Sequence, residues 1–123
     1  KENTMAQVLQ HYRRTVTFLF PNGAAGTTLI QSKGLPFTGQ INHIRQVNID
    51  ATTARTAQLE IVDSHGVTIW DGTAKAEAAS YDHEFVTTPR LLDGEDTLRC
   101  TLSGDPGATG YKVDAVISCF GRP

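Results

Sequence analysis

The sequence predicts an all-β fold: an antiparallel β-sandwich of about seven or eight strands, either jelly-roll or immunoglobulin-like, preceded by a short N-terminal helical arm. Apolar residues recur with a period of two in several short runs, as they do in strands that bury one face. Segments rich in Gly and Pro separate these runs. Little of the chain has helical periodicity, so two packed antiparallel sheets are the arrangement that buries the apolar faces.

Size and charge set the first limits. The chain has 123 residues, of which 39% are hydrophobic and 20% charged, and its formal net charge is −2. This length suits one core, which we assign to residues 15–123, with the arm at residues 1–14. Such a small charge creates no strong field for phosphate backbones, and no run approaches the roughly 18 apolar residues of a membrane span. We therefore expect neither nucleic acid nor a membrane as a partner.

The arm is predicted from the segment Thr4–Arg14, which contains neither Gly nor Pro. Its larger apolar side chains recur at spacings of three and four residues, which places them on one face of a helix. These residues are Met5, Val8, Leu9 and Tyr12. A helix this short is marginal alone, so its apolar face either packs on its own domain or docks on a neighbouring chain. The second alternative makes the four residues candidates for an interface.

Three strands are predicted in the first half of the chain. Thr15–Phe20 alternates between apolar and other positions, and Thr27–Ser32 can form a second strand. The third, Gly39–Asp50, does not fit a single frame, because Ile44 has the opposite parity to its other large apolar residues. Those residues are Ile41, Val47 and Ile49. The mismatch predicts either a bulge near His43 or a strand buried on both faces.

Short elements are predicted between residues 59 and 86. Alternating apolar residues indicate strands at residues 59–61 and 67–69, joined by a turn. The alanine-rich segment Thr73–Ser80 is compatible with a short helix or a loop. Phe85 and Val86 then mark a further short strand.

The last two strands have the most regular pattern. Apolar residues alternate through 98–102 and 113–119, and the Gly- and Pro-rich segment 104–110 between them predicts a hairpin. With residues 103 and 111 paired, Cys100 and Cys119 lie about five residues, roughly 17 Å, apart along the ladder and do not bond to each other. Two buried free thiols suit a reducing cytoplasm or a particle assembled inside a cell, with an intermolecular disulfide as the alternative.

The stretch Asp63-Ser64-His65 contains the three residue types of a hydrolase triad. In a triad the base lies within about 3 Å of the nucleophile and is oriented from its far side by the acid, whereas side chains on consecutive residues diverge. Asp at the first position and Gly66 at the fourth are instead typical of a type I turn. We therefore predict a turn between two strands.

No other motif indicates catalysis, a metal or a cofactor. The four histidines lack HxxxH or HxH spacing, and the two cysteines lack a CxxC partner. The acidic stretch 93–96 lacks the ordered ligands of an EF-hand loop and is typical of a polar turn. Residues 71–72 and 82–84 are interpreted as solvated connections. We predict no catalytic, metal-binding or cofactor-binding residue.

Trp70 is the side chain that most suggests a contact. Because Val67 and Ile69 take the inward parity of their strand, Trp70 is predicted on the outer face. An exposed Trp serves as an anchor in a protein interface or as a platform for a sugar, unless segment 73–80 covers it. Since Tyr81 is not placed to add a second stacking surface, the sequence favours the protein interface.

The order of elements resembles a known family. The strand TVTFLF at 15–20 is followed by GQINHIRQVNID at 39–50, which LPFTG introduces, then by TAQLEIVDSHGVTIWDG at 56–72 and DTLRCTLSGDPGATGYKVDAVIS at 96–118. This order is similar to that of small β-sandwich virion proteins of tailed bacteriophages, which decorate or cement the head or sit at the head-tail connection. The resemblance covers about Thr15 to Phe120.

The resemblance implies a non-enzymatic structural protein of a phage particle, most specifically a capsid decoration or cement protein without a cofactor. The implied partners are the major capsid or other virion proteins and further copies of the chain in a homo-oligomer. The implied location is the virion, assembled in the host cytoplasm. Alternatives are a carbohydrate- or receptor-binding β-sandwich module that uses Trp70, or a neck or tail structural protein. The predicted interface residues are Met5, Val8, Leu9, Tyr12 and Trp70.

Overall fold

The computed structural model describes residues 10–21, 29–35, 38–49, 55–76, 79–85, 90–104 and 110–122. In these ranges the chain forms nine β-strands and no helix. The strands are β1 (Gln10–Phe20), β2 (Leu29–Leu35), β3 (Thr38–Ile49), β4 (Ala57–Val62), β5 (Thr68–Lys75), β6 (Ala79–Glu84), β7 (Arg90–Asp93), β8 (Asp96–Leu102) and β9 (Tyr111–Arg122).

The strands form two antiparallel sheets. The first sheet has the order β1-β9-β3-β6, with the short β7 also paired to β3, and the second has the order β2-β8-β4-β5. The first strand thus pairs with the last, and the second strand with β8, which is the nested order of an eight-stranded jelly roll. The predicted antiparallel β-sandwich is confirmed, and the strand order favours the jelly roll over the immunoglobulin-like alternative.

The core lies between the two sheets and is formed by the inward faces of alternating strands. β8 buries every second residue from Asp96 to Leu102, as its sequence pattern predicts. β9 does the same from the facing sheet. Its buried apolar side chains are Tyr111, Val113, Ala115, Ile117 and Cys119.

The predicted hairpin between the last two strands is wrong. β8 lies in the second sheet between β2 and β4, whereas β9 lies in the first sheet between β1 and β3. Both strands turn an apolar face toward the same core, but from opposite sheets. Apolar residues alternate with a period of two in this arrangement and in side-by-side pairing alike, so the sequence pattern does not distinguish the two. Cys100 and Cys119 are free and buried, as predicted, although the hairpin register from which that prediction was made is wrong.

The predicted N-terminal helix is wrong for its last residues. Gln10–Arg14 belong to β1, where each residue pairs with β9, from Gln10 opposite Gly121 to Arg14 opposite Ile117. The backbone ladder to β9 therefore overrides the helical spacing of the side chains. Tyr12 packs partly buried against the core. The rest of the arm, with Met5, Val8 and Leu9, lies outside the described residues, and the helix there stays a prediction.

The bulge predicted near His43 is confirmed. The register of β3 against β9 shifts between Ile41 and His43. Past this shift, every second residue from Ile44 to Asn48 is buried, while Ile49 is exposed. One extra residue in a strand reverses the faces of everything after it.

Both described ends of the segment Thr73–Ser80 are strand and not the short helix or loop that the composition suggested, while Ala76 is in no strand and residues 77 and 78 lie outside the described residues. Its first residues end β5 at Lys75, and Ala79 begins β6. Residues 71–72 and 82–84, interpreted from the sequence as solvated connections, likewise lie inside β5 and β6. Alanine is permissive in strands whose partners supply the packing, which explains why propensity failed here.

Candidate interaction surface

The turn at Asp63–Gly66 has the predicted form. The amide of Gly66 donates to the carbonyl of Asp63 at 3.0 Å, and Gly66 has a φ of 84°. One carboxylate oxygen of Asp63 accepts from the amides of His65 and Val67, each at 2.9 Å. The bond from the Val67 amide is the main cause that lowers the pKa of Asp63. One oxygen of the carboxylate therefore fixes the turn, while the Ser64 hydroxyl and Nδ1 of His65 lie 3.5 Å apart, longer than the roughly 3 Å expected between the nucleophile and the base of a triad.

Trp70 lies on the inward side of its strand, so the predicted outer-face position is wrong. It stands opposite the buried Ile61 in the hairpin, and the register shifts just beyond this pair. The shift explains the error, since Val67 is 56% exposed where the sequence placed it inside. The indole makes edge contacts with His83 and Phe85 of the facing sheet, with centroids 5.1 and 5.3 Å apart.

Trp70 is therefore a partly buried residue that joins the two sheets at one end of the core. A sugar platform needs an accessible ring face, and the inward direction of this ring argues against that alternative. Its predicted interface role stays a prediction.

A buried polar network, which sequence analysis missed, lies next to Trp70. The side chain of Gln46 is fully buried; it donates to the Asn48 side chain at 3.0 Å and to the Ala57 carbonyl at 3.1 Å. Its oxygen accepts from Nε2 of His83 at 3.0 Å. Asn48 in turn donates to the carbonyl of Ala76 at 2.6 Å. The network thus ties β3 and β6 of one sheet to the strands of the other.

The network assigns a tautomer to His83. Because both amide hydrogens of Gln46 are used elsewhere, the Gln46 oxygen faces the ring and Nε2 of His83 carries the proton. Burial is the main cause that lowers the pKa of His83, and the positive charge of Lys75 lowers it further. Gln46 and Asn48 alternate with the same parity as Ile44, so they face inward with it. The sequence predicts this inward direction only once the position of the bulge is known.

The surface with the strongest potential for a contact is the outward side of β1, β9 and β3, called here the outer face. Leu19 of β1 and Ile49 of β3 flank Lys112 of β9 in one row, and both apolar side chains are exposed. At the opposite end Phe120 packs against the ring of His11, with centroids 4.8 Å apart.

Charged groups lie between these apolar side chains. The Thr17 hydroxyl donates to the Asp114 carboxylate at 2.7 Å, and Lys112 lies 3.8 Å from the same carboxylate. Nε2 of His43 lies 2.9 Å from Asp82. The outer face therefore combines exposed apolar groups with charges of both signs, which is typical of protein interfaces that are not obligate.

The described strands also contain two buried thiols, Cys100 and Cys119. Within the ranges given above, no group of three or more His, Cys, Asp and Glu side chains is placed to hold a metal ion. The described residues contain no helix long and apolar enough to cross a membrane. Burial raises the pKa of Cys100 to about 12 and that of Cys119 to about 11.

Comparison with known proteins gives a likeness of fold. No family model matches the chain, and no curated protein matches it. A chain of the cyanophage Pam1 capsid asymmetric unit is similar, with a TM-score of 0.54 and 17% identity, over 95% of this chain and 86% of that chain.

Two further structures overlap less well. A chain of infectious bursal disease virus, Gx strain, has a TM-score of 0.40 and 9% identity, over 93% of this chain and 32% of its own length. The Yersinia pseudotuberculosis-derived mitogen has a TM-score of 0.41 and 9% identity, over 92% of this chain and 86% of its own. At these scores neither overlap supports an inference. The chain is thus an antiparallel β-sandwich that shares its fold with a chain of a phage capsid.

Proposed function

We propose that the chain is a non-enzymatic structural protein of a phage particle, most specifically a capsid decoration or cement protein. The observation that supports this proposal is the likeness to a chain of the cyanophage Pam1 capsid asymmetric unit, which extends over 95% of this chain and 86% of the other. The proposed partners are the major capsid or other virion proteins and further copies of the chain. The proposed location is the virion, with assembly in the host cytoplasm.

The outer face suits such a role. A protein that binds a shell must present one stable surface to its neighbours. On the outer face, the backbone pairing of β9 with β1 and β3 holds the side chains in fixed positions. The exposed Leu19 and Ile49 supply apolar area, while Lys112 and Asp114 supply charge for orientation. Interfaces of this mixed composition form between proteins that also fold alone.

The N-terminal segment is the second part of the proposal. Met5, Val8 and Leu9 are proposed to bind a neighbouring shell protein, as their shared spacing predicts. Tyr12 and Trp70 pack partly buried against the core, so they would contribute only through their accessible atoms. A test of the segment should remove residues 1–9 and spare β1, which begins at Gln10.

The first experiment measures copy number in the particle. Quantitative peptide mass spectrometry on gradient-purified particles from the source should find this chain at hundreds of copies, comparable with the major shell protein. About a dozen copies would instead indicate a neck or tail protein. Absence from the particles would refute the proposal of a virion protein.

The second experiment tests the segment with a matched control. Particles lacking the chain are incubated with the full protein, with the variant in which Met5, Val8 and Leu9 are all replaced by Ser, and with a control in which Glu2, Asn3 and Gln7 are replaced by Ser. We expect the first variant to lose binding at least about tenfold and the control to bind like the full protein. Equal binding of all three proteins would remove the segment from the proposal.

A further inference from the structure

Among the described strands, β1 lies at one edge of the first sheet. It pairs with β9 and with no other described strand, and its 11 residues contain neither Gly nor Pro. The side-chain amide of Gln31 in β2 donates to the carbonyl of Leu19 at 2.6 Å, so the backbone groups of Leu19 point away from β9. This direction recurs at every second residue of a strand. The other residues whose N–H and C=O point to the free edge are therefore His11, Arg13, Thr15 and Thr17.

In the part of the chain that the structure describes, this edge strand has no bulge and no Pro, two features that usually protect edges; its charged residues are Arg13 and Arg14, and Gln31 of β2 contacts it at Leu19. β5, the edge strand of the second sheet on the side opposite to β2, has register shifts against β4 and a positive φ of 62° at Thr73. The register of β1 is unbroken from Gln10 to Phe20. Among the residues that the structure describes, the carbonyl of Leu19 is the one edge-facing group with a side-chain donor. A regular edge of this kind is a template for another strand.

A second copy of β1 fits this edge in an antiparallel register centred on Thr15, the middle residue of the strand. This register sets Arg13 opposite Thr17 and His11 opposite Leu19, and all of them direct backbone groups to the edge. The three central residues of each copy then form about six backbone hydrogen bonds. The Arg13 residues of the two copies stay about 13 Å apart, so like charges do not oppose each other.

The same register pairs side chains that are exposed in the single chain. Leu19 is 61% exposed and Phe120 is 37% exposed. Leu19 of one copy would lie beside His11 of the other, whose ring already packs on Phe120. Arg13 would lie beside Thr17 of the second copy, whose hydroxyl holds the Asp114 carboxylate. Apolar contacts and a complementary charge thus support the backbone pairing.

We propose that the chain binds a second copy of itself through β1, in a two-fold dimer whose first sheets form one continuous antiparallel sheet. The proposal concerns the free chain and does not depend on the proposed virion role. Pairing at an edge buries less than the roughly 1,200 Å² of a standard interface, so the dimer is weak, with a Kd of about 10–100 µM.

The first test is sedimentation of the full chain from about 1 µM to about 500 µM, a range that brackets such a Kd. We expect the mass to rise from one chain to two. Thr15→Pro removes the edge-facing N–H at the axis, a change that an edge strand tolerates, and should raise the Kd at least about tenfold. Thr15→Val keeps the N–H and should dimerise like the original chain. A single-chain mass at every concentration, or a Thr15→Pro variant that dimerises normally, would overturn the proposal.

A cross-link locates the contact independently of how well Thr15→Pro folds. Thr15→Cys places a thiol next to the axis, while the native Cys100 and Cys119 are buried. A short bismaleimide should join two Thr15→Cys chains and should not join chains carrying Ala74→Cys, an exposed position on the second sheet. Failure to link Thr15→Cys chains contradicts the proposal. Dimerisation that appears only after residues 1–9 are removed would mean that this segment, and not a second copy, binds the edge of β1. That result would also overturn the proposal.

Discussion

Replacing Gln46 by Ala should destabilise the protein more than any surface change of the same type. Gln46 is fully buried and makes hydrogen bonds to Asn48, Ala57 and His83. Ala at this position leaves an oxygen of Asn48 and the carbonyl of Ala57 without these donors, in a region that the sheets close to water. His83 is partly exposed, so water can replace its lost partner.

The magnitude follows from the two buried acceptors. Each acceptor left unsatisfied costs about 1–3 kcal/mol. Losing the burial of the side-chain methylenes of Gln46 adds about 1 kcal/mol. We therefore expect a loss of about 3–7 kcal/mol in the free energy of unfolding, a large part of the typical stability of a domain. Gln46→Met restores the volume and should still cost about 2–6 kcal/mol, because it does not restore the donors.

Urea unfolding measures these differences, with circular dichroism and the fluorescence of Trp70, the one tryptophan of the chain, as probes. Gln58→Ala is the matched control, because the Gln58 amide makes one exposed hydrogen bond, to Asp71 at 2.7 Å. This control should cost about 0.5 kcal/mol or less. The reasoning fails if Gln46→Ala costs no more than Gln58→Ala, or if Gln46→Met is as stable as the original chain.

Three further predictions test the interior. Because folding lowers the pKa of His83, the unfolded chain binds a proton at this histidine more readily than the folded chain does. The free energy of unfolding should therefore be highest above the ordinary histidine pKa of about 6.5 and should fall as the pH drops below it. His83→Gln should flatten this part of the urea-midpoint profile, and an unchanged slope would contradict the assignment. Cys100 and Cys119, with pKa values of about 12 and about 11, should react with a thiol reagent near pH 8 only after denaturation; fast reaction of the folded chain would disprove their burial. Gly39→Ala should cost more than about 2 kcal/mol, because a Cβ there lies 2.6 Å from a β9 carbonyl oxygen at a φ of 143°. Gly34→Ala, with nothing within 4 Å, is its control, and equal midpoints would refute the clash.

Local patterns predicted local structure well. The strict alternation of β8 and β9, the Asp63–Gly66 turn and the bulge near His43 each depend on neighbours within a few residues, and each is present. The pairing of β8 with β9 failed because sheet membership depends on contacts between distant strands. Apolar parity is the same whether two strands lie side by side or face each other across a core.

The position of Trp70 failed for a related reason. The sequence continued the parity of Val67 and Ile69 into the strand, but the hairpin register shifts just beyond Ile61 and Trp70. A shift of one residue exchanges the two faces, and nothing in the spacing of the apolar residues marks it. The His83 ring that contacts Trp70 comes from a strand whose residues 82–84 were interpreted as a connection, and the Phe85 ring comes from the residue just after this strand, so the surroundings of Trp70 could not be predicted either.

The bulge near His43 links the interior to the candidate surface. Without the extra residue, the apolar Val47 and Ile49 would share the inward face of Ile41 and the core would be uniformly apolar. With it, Gln46 and Asn48 turn inward and Ile49 becomes exposed on the outer face. Burying two amides is tolerable only because their hydrogen bonds are satisfied across the sandwich. The exposure of Ile49 on the outer face is therefore the counterpart of the polar network inside, and both follow from one irregularity in β3.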